Sequence, residues 1–252
     1  MAATRILPRP QGIRNRKENP VRRPTSLSNI GLLPELNFYY EALLRAHGPQ
    51  HWWPGRTRFE VIVGAILTQN TNWSNAERAI VQLRRAGLLT PTAIDGVPLA
   101  RLSQLIRSSG YFRQKARKLK GFVRFLRKQY EGSLDKMFAS PTEELREQLL
   151  AVHGIGPETA DSILLYAGRH PVFVVDAYAR RILERHNLMK RTHSYEEIRR
   201  LFEASLPASA PLFNEVHALI VHTGKHFCRK SNPLCRDCAL RTFLPQTPEA
   251  QF

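Results

Sequence analysis

From Leu36 onward, apolar residues recur at three- and four-residue spacing through most of the chain, the period of a helix with one buried face. The pattern predicts helices over Leu36–Leu44, Phe59–Leu67, Ala76–Leu83, Leu102–Ile106, Lys115–Tyr130, Glu143–Val152, Thr159–Ala167, Ala177–Arg185, Tyr195–Phe202 and Leu212–Gly224. Alternating segments are too few for a sheet. Pro54-Gly55, Gly87, Pro91, Gly110, Pro141, Gly154, Pro171 and Pro207 fall where a helix would start or stop. The expectation is an all-α protein with short connections. Residues 1–30 break the pattern: Pro8, Pro10, Pro20 and Pro24 interrupt them, and Arg5, Arg9, Arg14, Arg16, Lys17, Arg22 and Arg23 face only Glu18. This stretch reads as a disordered basic arm that adds non-specific phosphate affinity.

With 42% hydrophobic residues in 252, the rest of the chain has a globular composition and room for one large domain or two interlocking ones. The longest apolar run, Val61 to Leu67, is far shorter than the roughly 20 residues that cross a bilayer, which excludes a membrane-spanning helix. Lys and Arg number 38 against 21 Asp and Glu, a formal charge of +17, so the candidate partners are nucleic acid, an anionic membrane surface or an acidic protein. Composition does not choose among them. Three cysteines near the C-terminal end are the opposite of a secreted disulfide framework, and no apolar segment before a small-residue cleavage site marks a secretory signal. A reducing, cytoplasmic setting is expected.

One connection has a more specific pattern. Glu144 to Val152 presents an apolar helical face, His153-Gly154-Ile155-Gly156-Pro157 intervenes, and Thr159 to Ala167 is helical again, which together make a helix-hairpin-helix. Gly154 suits the left-handed position that ends the first helix, and Ile155 is the buried wedge. Gly156 lets the backbone approach another surface, and Pro157 starts the second helix. The free N–H groups of this turn suit a phosphate oxygen. Next, Pro171-Val-Phe-Val-Val-Asp176 forms a short extended stretch before the basic helix that carries Arg180 and Arg181. Asp176 is a good N-cap there, worth about 1 kcal/mol.

The hairpin followed by this Asp resembles the helix-hairpin-helix DNA glycosylases of the endonuclease III-like group, over roughly Leu36 to Leu244. Trp52-Trp53-Pro54-Gly55, Leu67-Thr-Gln69-Asn-Thr-Asn-Trp73 and Gly154-Ile-Gly-Pro-Glu158-Thr159-Ala-Asp161 look most like the branch of the monofunctional 3-methyladenine DNA glycosylase. The resemblance implies two helical lobes: a barrel over residues 57–170 with the hairpin, and a second lobe from residues 31–56 plus 171–252. DNA would lie between them, and the protein would act as a monomer on damaged double-stranded DNA. It also implies that Asp176 is catalytic, stabilising the positive charge that develops on the sugar as the base leaves, or orienting the attacking water. An enzyme of this kind flips its target out of the helix. Trp53 and Trp73 would sandwich that base, with Trp52, Pro54 and Glu158 lining the pocket, and an aromatic sandwich favours a cationic alkylated purine. Gln69 would fill the gap left in the DNA stack, and Gly154, Ile155, Gly156, Thr159, Arg180 and Arg181 would meet the backbone.

Two departures matter. Bifunctional members carry a nucleophilic Lys two residues after the second hairpin Gly, where this chain has Glu158, so hydrolysis by water with no lyase step is expected. Lys115 and Lys120 belong to no motif that would place them beside Asp176. Cys228, Cys235 and Cys238 have the spacing of the family's [4Fe–4S] loop, whose fourth thiolate position is Leu244. Either the cluster is lost and the loop packs as ordinary protein, or a nearby His226 or Asp237 completes the set. Zinc on the three Cys with His226 is a further option that the long first spacing disfavours. No cofactor is required for the chemistry itself.

Overall fold

The computed structural model describes residues 35–245 apart from His51, Trp53 and Pro54. The basic arm, and with it the expectation of disorder, lies outside the described residues, as do Trp53 and Pro54. Among the described residues there is no strand. The helices are α1 (Glu35–His47), α2 (Arg58–Leu67), α3 (Trp73–Arg85), α4 (Pro91–Gly96), α5 (Leu99–Leu105), α6 (Phe112–Tyr130), α7 (Leu134–Phe138), α8 (Thr142–Leu150), α9 (Pro157–Ser162), α10 (Ala177–Arg185), α11 (Tyr195–Ser205) and α12 (Ala210–His226). The periodicity does not predict α4 and α7, because a five- or six-residue helix shows too little of its period to be read. None of the described helices is long and apolar enough to cross a membrane.

Helix starts follow the local chemistry. Thr57, Asn72, Thr90, Ser194 and Ser209 each accept a hydrogen bond from a first-turn N–H of α2, α3, α4, α11 and α12. Ser194 and Glu197 close a reciprocal capping box. α2 is buried nearly all round, with Phe59, Val61, Ile62, Val63, Ile66 and Leu67 inside, as a central helix should be. It packs on α3, α6 and α9. α6 instead buries Ala116, Leu119, Phe122, Val123 and Leu126 and turns a basic face outward.

The second half of the fold positions Asp176. α9 widens into a π-helical turn, Ile163–Gly168, with Ile163 to Ala167 all buried. Arg169 then takes a left-handed conformation (φ 58°), and the chain runs extended to Asp176. An extended segment with no partner strand needs other acceptors for its N–H groups. Glu203 Oε1 accepts from Phe173 N (2.9 Å), and the Tyr195 hydroxyl accepts from Val175 N (3.3 Å). Phe173 stacks on Phe202 at 3.8 Å. Tyr195 in turn donates to Asp161 (2.8 Å), which is paired through two oxygens with the buried Arg146. α11 and the hairpin thus fix the strap that delivers Asp176.

Candidate active site

The hairpin has the geometry that its sequence requires. Gly154 sits at φ +84°, where a side chain would also strike Lys118, and Ile155 is 4% exposed. Gly156 faces open space, and Pro157 occupies the first turn of α9. Gln69 is docked on this turn: its Nε2 donates to Gly154 O (3.1 Å) and Thr159 Oγ1 (2.8 Å), and its Oε1 accepts from Lys118 (2.5 Å). The residue expected at the gap in the DNA stack therefore touches the element expected to hold phosphate.

Asp176 caps α10, its Oδ1 accepting from Ala179 N at 2.8 Å. Its Oδ2 lies 3.6 Å from Nε2 of His217, a side chain of α12 that is almost wholly buried. The Nδ1 of the same ring bonds the Tyr166 hydroxyl at 2.7 Å, and Trp52 stacks over the ring at 5.6 Å and meets Tyr166 in a T-shaped pair. Asn214 holds the Trp52 carbonyl at 3.2 Å. Burial pulls the pKa of His217 down despite Asp176, and burial with the two nearby carboxylates pushes that of Tyr166 well up. The ring is thus neutral and the phenol protonated. Glu158 is exposed yet has protein around much of its side chain. Desolvation, with Asp176 nearby, pushes it up to about 7.

Glu158 lies near Asp176, Asp176 faces His217, and Trp52 lies over that His217 ring. Trp73, half-exposed at the start of α3, rests its indole on α2 beside Gly64. Sequence reasoning missed Tyr166 and His217. Their signal was a polar group inside an otherwise buried apolar run, although nothing in the sequence joins two positions 51 residues apart. It also missed Tyr111, 67% exposed and left-handed (φ 43°) after Gly110, an exposed aromatic that no core packing explains.

The basic residues are committed elsewhere. Lys115 is buried, donating to Leu67 O (2.8 Å) and Ser109 O (2.5 Å), and desolvation with Lys118 nearby pulls it down to about 8. Lys120 donates to Asp95 O at 2.7 Å. Arg180 donates to His193 O (2.8 Å), while Arg181 donates to Cys228 O (2.7 Å) and Gly224 O (2.8 Å). The guanidinium groups of Arg180 and Arg181 thus serve the protein's own backbone.

Cys228, Cys235 and Cys238 line one pocket with Arg185 and Leu244, and neither His226 nor Asp237 reaches it. The spacing's fourth position is the hydrocarbon side chain of Leu244, and burial pushes the thiols of Cys235 and Cys238 up. Arg185 donates to Cys228 Sγ (3.3 Å) and to the carbonyls of Arg229 (2.7 Å) and Lys230 (3.0 Å). No group of three His, Cys, Asp or Glu among the described residues is placed to hold a metal ion. These side chains do not fit a four-thiolate cluster, and two arginines brace the loop's start.

Comparison with known proteins places this arrangement in context. The profile of the HhH-GPD superfamily of base excision DNA repair proteins matches residues 63–208. A Methanocaldococcus jannaschii protein, whose assignment as a DNA repair glycosylase is itself provisional, is 44% identical over 206 residues, 81% of this chain and 93% of its own. Endonuclease III of Sulfolobus acidocaldarius is 31% identical over 75% of this chain and 83% of its own. Among solved structures, an endonuclease III–DNA complex superposes with a TM-score of 0.73 at 22% identity, over 84% of this chain and 95% of its own. The H. pylori 3-methyladenine DNA glycosylase bound to 1,N6-ethenoadenine does so with 0.65 at 28%, over 76% and 96%.

Proposed function

The chain belongs to the HhH-GPD superfamily and is a base excision DNA glycosylase of that type, and from this premise we propose that it is monofunctional, hydrolysing alkylated purines such as 3-methyladenine from double-stranded DNA. The observation that carries the reading is Glu158 beside Asp176. The hairpin position that would carry a nucleophilic amine holds a carboxyl group instead, and Lys115 and Lys120 are hydrogen-bonded elsewhere. Without an amine at that position, the family's Schiff-base route to strand cleavage is not available from the hairpin.

In this reading DNA lies between a lobe of residues 57–170 and a second of residues 31–56 with 171–252, held at the hairpin and beside Gln69 and Tyr111. The lesion base is flipped towards Asp176. As the bond from sugar to base breaks, its electrons leave with the base, the sugar becomes cationic, and the Asp176 carboxylate stabilises that charge while water adds to the sugar carbon and releases a proton to solvent. An alkylated purine is already a good leaving group, and the likeness to a 3-methyladenine glycosylase at 28% identity supports this substrate class. A second reading, release of oxidised or mismatched bases, is favoured by the 31% identity to an endonuclease III. A third, a non-catalytic damage-binding module, has no observation in its favour.

The test is base release from methylated, oxidised and mismatched duplexes, with abasic DNA and borohydride as a trap. Free 3-methyladenine, no nicking without alkali and loss of at least about 100-fold in Asp176→Asn are expected. A trapped protein–DNA adduct would overturn the monofunctional reading, and an unaltered Asp176→Asn rate would remove the mechanism.

A further inference from the structure

The two oxygens of Asp176 are in different situations. Oδ1 is fixed by Ala179 N, and Oδ2 faces His217 Nε2 at 3.6 Å, just beyond hydrogen-bond range. That nitrogen is buried and has no hydrogen-bond partner among the described residues. A buried polar nitrogen left unpaired costs stability, so its retention asks for an explanation. The other ring nitrogen is occupied by the Tyr166 hydroxyl, and Trp52 covers the ring face. If the phenol donates to Nδ1, the neutral ring must carry its proton on Nε2, directed at Asp176 Oδ2.

We propose that His217 is a positioning residue for base release: its Nε2–H holds the Asp176 carboxylate in one rotation, and Tyr166 fixes the tautomer that makes this possible. The N-cap bond anchors a single oxygen, and the carboxylate plane can still turn about its terminal bond. A donor on the second oxygen removes that freedom and presents a preorganised anion to the developing sugar cation. The gap of 3.6 Å is closed by a small rotation of the carboxylate. The low-lying pKa of the buried ring and the raised one of the phenol keep both groups in the required protonation states.

The inference rests on the reading that Asp176 carries the chemistry, so the experiment separates the two. Single-turnover release from methylated duplex, affinity for that duplex and thermal stability are measured for the wild type, His217→Ala, His217→Gln and Tyr166→Phe. Nitrogen-15 NMR of His217 is recorded alongside. The expected results are the Nε2–H tautomer in the wild type and its loss in Tyr166→Phe. His217→Ala should release base about 10- to 100-fold more slowly with lesion affinity unchanged, the range for losing one hydrogen bond to a charged group. His217→Gln, which retains a donor, should recover much of that rate. An Nδ1–H tautomer, a His217→Ala rate within twofold of the wild type, or a His217→Gln rate as low as that of Ala would each overturn the proposal. If the wild type releases no base, the functional reading fails on its own, and the tautomer still decides whether Nε2 donates towards Asp176.

Discussion

Glu158 shows what a single side chain can report. Burial and Asp176 raise its pKa from the usual 4.5 to about 7, so the folded protein binds a proton there that the unfolded chain releases. The contribution to stability is fully present below about 4.5 and is lost as pH rises through about 7. Glu158→Gln should therefore flatten the fall in melting temperature across that window and melt higher than the wild type above it, measured by thermal denaturation at fixed ionic strength. Parallel curves would mean that the carboxyl is not desolvated beside Asp176. The type and place of Glu158, Asp176 and Gly154 were legible in the sequence, because spacing from the hairpin defines them. The pairing of Tyr166 with His217 was not, since it joins the π-helical turn to α12 and depends on how the two elements pack.

Between elements, the contact of α10 with α12 decides where Asp176 stands relative to His217. Gly224 makes that approach possible: a Cβ there would lie 2.4 Å from the Tyr178 ring. Arg181 lies over the same ring, 5.1 Å from its centre, and donates to the carbonyl of Gly224, so the three residues form one joint. Gly224→Ala should destabilise the protein by about 1–3 kcal/mol, the usual cost of overpacking. Tyr178→Ala in the same chain should return part of that loss, as read by chemical denaturation. Additive losses would place the strain elsewhere. Helix type was legible at this scale, whereas α4, α7 and the π-helical turn were not: the first two are too short for periodicity, and the third differs from an α-helix only in which carbonyl each N–H meets.

For the whole molecule, charge is the governing quantity. Residues 1–30 hold seven of the 38 basic residues and one of the 21 acids. Because each phosphate neutralised releases counterions, deleting that arm should weaken duplex binding and make the dependence of log affinity on log salt less steep. Base release at saturating protein should stay unchanged. Fluorescence anisotropy across a salt series measures the slope, and an unchanged slope would show that the arm does not meet DNA. In the folded part, Arg180, Arg181 and Arg185 serve internal carbonyls, whereas α6 turns a basic face outward.

The sequence by itself determined the helical class, the hairpin, the acid that follows it and the absence of a hairpin lysine, because each is written in local spacing and side-chain type. Only the tertiary structure decided that a buried tyrosine–histidine pair stands behind Asp176, that Gln69 rests on the hairpin, and that the cysteine loop is braced by arginines. Those facts depend on which distant side chains share a volume once the apolar faces have closed. A one-dimensional pattern specifies the faces, and packing selects the neighbours.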